Sequence, residues 1–183
     1  METDERVYQR WLDGDEDALR ILLERFRESL TCFIMGYVHS MDDAEELMLD
    51  TFAAMATGPA RFSGGSSFKT WLFAIGRNLA RKHLRRQKLN IGVLPDIADR
   101  NEDVMPEISI LKGERNRQLY AAMRTLPEEY RQVLFLLEFE SMDVEGVAKV
   151  MGKSRKQIYN LSFRSRQVLK EALKRSGFEN VQY

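Results

Sequence analysis

Apolar residues recur at helical spacing along nearly the whole chain, and alternating runs rich in Val, Ile and Thr between hairpin turns are absent. The pattern predicts helices over residues 5–12, 16–38, 42–57, 66–88, 114–124, 128–139, 144–151 and 155–175. Cap chemistry supports several starts: Asp42 or Asp43 for the third, Ser66 or Ser67 for the fourth, Asp143 for the seventh and Ser154 for the eighth. Residues 89–113 carry Pro95, Pro106 and clustered Asp and Asn, which reads as a flexible linker. The expected fold class is therefore all-α, with two small helical domains, 1–88 and 114–178, on either side of it. No internal repeat or low-complexity tract interrupts this plan.

Two adjacent helices carry more than a core stripe. At 100° per residue, Phe68, Trp71, Leu72, Ile75 and Leu79 share one face, with Arg77, Arg81, Arg85 and Lys88 opposite. A merely solvated helix mixes signs to gain i,i+4 pairs. Here no carboxylate occurs over residues 51–92, so phosphate binding is the expected use of the basic face. Phe73 is surplus to the stripe, and with one edge of Trp71 it is a candidate for stacking on exposed bases. In the preceding helix, Ala44, Met48, Phe52 and Met55 form the apolar stripe, while Asp43, Glu46, Leu47 and Asp50 share another face. Spacing alone leaves two readings of that face: acids favouring a helix N-terminus, or a docking surface for a basic protein.

The segment MDVEGVAKVMGKSRKQIYNL predicts a helix-turn-helix in the C-terminal domain. Ala148 is small where two helices would cross, Gly152 suits a left-handed turn, and Ile158 and Leu161 suit the inner face of the second helix. Arg155, Lys156, Gln157, Asn160 and Arg164 then point outward, where they reach bases or phosphates in a major groove. The bland alternative is a helical hairpin with a charged face. Gly146, inside the first of these helices, departs from helix preference by about 1 kcal/mol.

The net charge of zero conceals segregation. Residues 1–50 hold 14 acidic and 5 basic side chains, a net of −9, whereas residues 51–92 are +8, residues 93–130 −3 and residues 131–183 +4. Two basic blocks with an acidic one between them point to two surfaces for a polyanion. Other chemistry is thin. Cys32 is the single cysteine, set in the apolar TCFIMGYV, which fits a buried hydrophobe and a reducing cytosol. His39 and His83 have no ligand cluster at metal spacing, and no phosphate loop or nucleophile elbow occurs, so no metal, cofactor or catalytic site is expected. METDERVYQR is charged, unlike a secretory signal, and no run of about 18 apolar residues occurs that would span a membrane.

Taken together, DAEELMLDTF, RFSGGSSFKTWLFAIGRNLARKHLRR and LPEEYRQVLFLLEFESMDVEGVAKVMGKSRKQIYNLSFRSRQVLKEAL resemble a bacterial RNA polymerase sigma factor of the extracytoplasmic-function class, over nearly the whole chain and in the expected order. That class keeps two domains, regions two and four, and the short linker leaves no room for a third. The resemblance implies a specificity subunit, not an enzyme, that acts in the cytoplasm. It would bind core polymerase through the largest-subunit clamp helices and the flap, and promoter DNA, with an anti-sigma factor as a further partner. By the same resemblance, Asp43, Glu46, Leu47 and Asp50 would dock to the clamp helices. The loop from Phe62 to Ser67, with Ser66, would hold a flipped base, and Lys69, Trp71, Arg77, Asn78, Arg81 and Arg85 would contact the minus-ten element. Ser154, Arg155, Lys156, Gln157, Asn160 and Arg164 would serve the minus-thirty-five element, and the linker would run toward the polymerase active-site channel. Two departures stand out: Gly76 where the family usually has Ala, and Tyr159 and Leu161 where many members place basic residues. A stand-alone helix-turn-helix regulator and an adaptor that binds no DNA are the competing classes. The regulator would need a dimer helix, and none is evident beyond residue 175.

Overall fold

The computed structural model describes residues 2–59, 61–91 and 114–175. The expected linker from residue 92 onward and the end of the second domain past residue 175 lie outside them. The chain divides into two compact units, Met1–Pro106 and Glu107–Tyr183. All elements among the described residues are helical.

The first unit holds α1 (Asp4–Leu12), α2 (Glu16–Val38), α3 (Met41–Thr57) and α4 (Phe68–Ile91). Short polar side chains start these helices by satisfying free backbone N–H groups. Thr3 accepts from Arg6 N, Asp15 from Asp17 N and Ser67 from Thr70 N. For α3 the cap is Ser40, which accepts from Asp43 N at 3.3 Å, rather than Asp42 or Asp43. The aspartates fall inside the first turn, where their charge favours the helix dipole. α2 ends on His39 in the left-handed conformation. α1 and α2 are tied by Arg25 to Asp4 at 2.7 Å and by Arg10 to Asp15 at 2.9 Å. The Arg10 hydrogen bond holds the Asp15 carboxyl below its ordinary range, and Asp15 in turn raises Arg10.

α2 runs through the middle of this unit and packs on α1, α3 and α4. Leu22, Leu30, Phe33 and Ile34 from α2 meet Met48, Phe52 and Met55 from α3 and Phe68, Leu72 and Phe73 from α4 in the core. Cys32 is buried there, as its context predicted. The buried face of α4 is rotated from the predicted stripe. Phe73, Gly76 and Ala80 are buried, whereas Trp71, Ile75 and Leu79 are half-buried. Gly76 explains the rotation: a Cβ there would lie 3.0 Å from Leu30 Cδ1 and 3.4 Å from Thr51 Oγ1, so its absence lets α4 settle onto α2 and α3.

The second unit holds α5 (Glu114–Arg124), α6 (Glu128–Leu134), α7 (Val144–Met151) and α8 (Arg155–Arg175). α6 does not continue as an α-helix to residue 139, as periodicity predicted, but opens into a π-helical turn over Phe135–Phe139. Glu140 N bonds Phe135 O across it, and the Phe135 and Phe139 rings stack at 5.5 Å. α7 begins at Asp143, which accepts from Gly146 N at 2.7 Å, and ends at Gly152 with φ 62°. That left-handed residue turns the chain directly into α8. Ser154 and Gln157 close a reciprocal capping box: Gln157 N donates to Ser154 Oγ at 3.2 Å, and Ser154 N donates to Gln157 Oε1 at 2.8 Å. Ala148 and Ile158 are buried at the helix crossing and Leu161 half-buried beside it, as the helix-turn-helix reading requires.

Candidate nucleic-acid and polymerase interfaces

The acidic face of α3 is partly as predicted. Glu46 and Asp50 are exposed, and Asp43 is half-buried with its Oδ2 3.6 Å from His83 Nε2 of α4. Leu47 is only 5% exposed and belongs to the core. Leu49 takes the expected place of Leu47: it is 56% exposed, between Glu45, Glu46 and Asp50. Leu47, Met48 and Leu49 are consecutive, so they span about 200° of helix and cannot all face inward. That signal was present in the sequence.

Opposite the core, α4 presents Asn78, Arg81, Arg85 and Lys88 fully to solvent and Arg77 half so. None of Arg77, Arg81, Arg85 and Lys88 forms an ion pair among the described residues. Their charge is uncompensated, as a phosphate-binding face requires. At the start of α4 stands an aromatic cluster. Phe62 and Trp71 are half-buried with ring centroids 5.6 Å apart, and both meet Tyr8 of α1, at 5.9 and 5.7 Å. Phe68 and Trp11 complete it. Phe73 is not part of it: it is 0% exposed and packs on Phe33 at 5.2 Å, so it stacks on no base. Lys69 and Ser66 are half-buried. Ser67 is committed to the α4 cap, and its hydroxyl also donates to Thr70 Oγ1 at 2.9 Å.

The contribution of α1 escaped the sequence reading. Glu5 accepts a hydrogen bond from Phe68 N at 2.9 Å, at the N-terminus of α4. Tyr8 sits at the centre of the cluster with its hydroxyl buried and unpartnered among the described residues. The helix predicted over residues 5–12 carries no sequence signal of the element it packs against.

Ser154, which caps α8, and Arg155, Lys156, Gln157, Asn160 and Arg164 on it are all exposed. Gln157 is also bound in the capping box, so its carbonyl oxygen is already engaged. Arg155, Lys156 and Arg164 are in no ion pair among the described residues, whereas Arg166 bonds Glu138 at 2.7 Å and Lys153 bonds Glu129 at 2.8 Å. Lys170, Lys174 and Arg175 of α8 are likewise in no ion pair among the described residues, so free cations occur along the whole helix, and Arg155 and Lys156 are the ones in its first turn, the part a recognition helix brings to DNA. Two apolar neighbours are also in solvent: Tyr159, one of the departures from the family pattern, is 63% exposed, and Phe163 is 65% exposed.

An uncompensated basic helix beside an aromatic cluster in one unit, and a helix-turn-helix in the next, coincide with family matches. Residues 22–89 match Sigma-70 region 2, and residues 116–169 match Sigma-70, region 4. The chain is a sigma factor of the extracytoplasmic-function class. It is 28% identical to the RNA polymerase sigma-H factor of Pseudomonas aeruginosa, with 94% of each chain covered. It is 26% identical to the ECF RNA polymerase sigma-E factor of Haemophilus influenzae, over 93% of this chain and 95% of that one. In fold, this sigma factor is similar to the sigma factor RpoE of Bartonella quintana, solved with the anti-sigma factor NepR. That likeness has a TM-score of 0.65 and 24% identity, over 85% of this chain and 96% of the other. It is also similar to CnrH, solved with the cytosolic domain of CnrY, with a TM-score of 0.64, 21% identity and 94% and 98% coverage. No helix among the described residues is long and apolar enough to cross a membrane.

Proposed function

We propose that this sigma factor joins core RNA polymerase in the cytoplasm and directs it to promoters carrying a minus-ten and a minus-thirty-five element. The observation that carries the reading is the ordered pair of regions, 22–89 and 116–169, each presenting its own unpaired basic helix face. In this reading residues 1–88 form the docking and melting domain, 89–113 the linker and 114–178 the upstream-reading domain. Asp43, Glu46 and Asp50, with Leu49 as the apolar anchor, face the clamp helices of the largest subunit, and the second domain meets the flap. Phe62, Ser66 and Trp71 border the site for an unstacked base, while Arg77, Asn78, Arg81 and Arg85 follow the phosphates of the separating strand, with Lys69 beside them. Arg155, Lys156, Asn160 and Arg164 enter the upstream major groove; Ser154 and Gln157 hold the start of that helix. The protein supplies specificity and binding energy for strand separation, and the chemistry of transcription stays with the polymerase.

Relatives of this fold solved with anti-sigma factors support such a partner here as well. The test is direct. The chain is mixed with core polymerase, recovered as a complex, and supplied with genomic DNA; the run-off transcripts are sequenced. A shared pair of upstream elements among the starts is expected. No complex, or starts identical to those of core alone, would remove the proposal.

A further inference from the structure

Tyr159 and Phe163 lie one turn apart on α8, and both rings are mostly in solvent. The large apolar side chains around them in sequence, Ile158 and Leu169, are buried. The outward face that carries the two rings also carries Lys156 and Asn160, with Arg155 and Arg164 at its margins, all exposed. Over its whole length α8 holds seven basic residues and one acidic, Glu171. A polyanion, rather than a protein surface, is the occupant this charge favours. Tyr159 is the fifth residue of the helix, within the N-terminal turns that a recognition helix brings to base edges.

The chemistry open to these rings is narrow. Neither has the paired donors that read guanine nor the amide that reads adenine. Their faces offer apolar contact, and the apolar group in the major groove is the thymine C5-methyl. We propose that Tyr159, backed by Phe163, reads a thymine methyl group in the upstream promoter element. The inference rests on α8 being the recognition helix. It assigns thymine to a position where an arginine or lysine at residue 159 would select guanine.

The experiment uses holoenzyme assembled from the full chain. Upstream sequences are selected from a randomised duplex library with wild type, Tyr159→Ala and Asn160→Ala. Wild type should enrich thymine at a position where Tyr159→Ala does not. In the second arm, each thymine of the selected sequence is replaced by uracil, which removes only the methyl group and leaves the protein intact. Uracil at that position should weaken wild-type closed-complex affinity about fourfold, the worth of one buried methyl-sized group, and leave Tyr159→Ala affinity unchanged. Uracil without effect at every position overturns the proposal, as does thymine enrichment that persists in Tyr159→Ala. If Asn160→Ala still shifts the preference in that event, α8 remains the recognition helix and only the methyl-reading role is lost. If neither variant shifts any upstream preference, the recognition-helix reading fails and this inference with it. A loss of core affinity in Tyr159→Ala, with uracil neutral throughout, would assign the rings to a protein contact instead.

Discussion

Trp71 stands half-buried among Tyr8, Phe62 and Phe68, its ring centroid 5.6–5.8 Å from theirs. Core packing and base contact are therefore not alternatives for this residue. One part of the indole holds the cluster and the rest is open. Trp71→Ala should cost about 1–3 kcal/mol, less than a fully buried aromatic, and lower the melting temperature accordingly. It should also slow promoter opening, and a template mismatched across the minus-ten region should restore opening only in part. Permanganate reactivity of unpaired thymines, read beside the melting curve, checks both effects; full rescue with an unchanged melting temperature would contradict the shared role. A second residue sets a pH limit. Asp15 has its pKa lowered in the folded state by the Arg10 hydrogen bond, so the unfolded chain takes up its proton first as pH falls. Its stabilisation is present above the ordinary carboxylate range and is lost as pH drops through the folded value. Asp15→Asn should flatten part of the acid limb of a stability–pH curve and leave the neutral-to-alkaline slope unchanged, as urea titrations at several pH values would show.

At the scale of elements, α3 displays two separable properties on one helix. Ala44, Met48, Phe52 and Met55 face the core, while Glu45, Glu46, Leu49 and Asp50 face solvent. Reversing Glu46 and Asp50 to Lys should weaken binding to core polymerase at least tenfold without unfolding the domain, because neither side chain touches the apolar stripe. Leu49→Ala should reduce the same affinity by about tenfold, the effect of losing an apolar anchor among charged neighbours. Titration of labelled core measures both, and unchanged affinity in folded variants would remove α3 from the interface. The helix pattern made the elements legible: α2, α5, α7 and α8 begin and end where the sequence reading placed them. What it missed follows from physics that periodicity does not carry. Spacing from Phe68 puts the stripe on α4 through Trp71, Ile75 and Leu79 and leaves out Phe73, but close approach to α2 and α3 turns on Gly76 and Ala80, which contribute little to such a pattern, and it buries Phe73 instead. The π-helical turn after α6 shifts the bonding by one residue, which a 3.6-residue period cannot register. Leu47 and Leu49 are chemically identical and flank the Ala44, Met48, Phe52 and Met55 stripe at nearly equal angles, so spacing shows that both cannot be buried but not which one is. The basic faces of α4 and α8 were legible because charge needs no partner element to be read.

Across the whole molecule, zero net charge divides into an acidic first block, a strongly basic second block, a mildly acidic third block and a basic C-terminal block. The acidic excess of residues 1–50 would repel DNA if it lay along the DNA path, which agrees with the proposed docking of that block to protein. Arg81 on α4 and Lys156 on α8 belong to different units and are both unpaired among the described residues. Their phosphate contacts should therefore add independently. Each contact removed should lower the slope of log affinity against log salt by about 0.7 on a single strand and about 0.9 on duplex. With α8 as the proposed duplex-reading helix, Lys156→Ala should show its loss already in the closed complex. Arg81→Ala should show most of its loss only after strand separation. The double variant should lose about 1.6 from the slope of the open complex, the sum of the two. Affinities measured across salt on duplex and on pre-melted promoters, for wild type and the three variants, give these slopes. If Arg81→Ala lowered the slope equally on both templates, α4 would be following duplex phosphates, and the assignment of its basic face to the opened strand would fall.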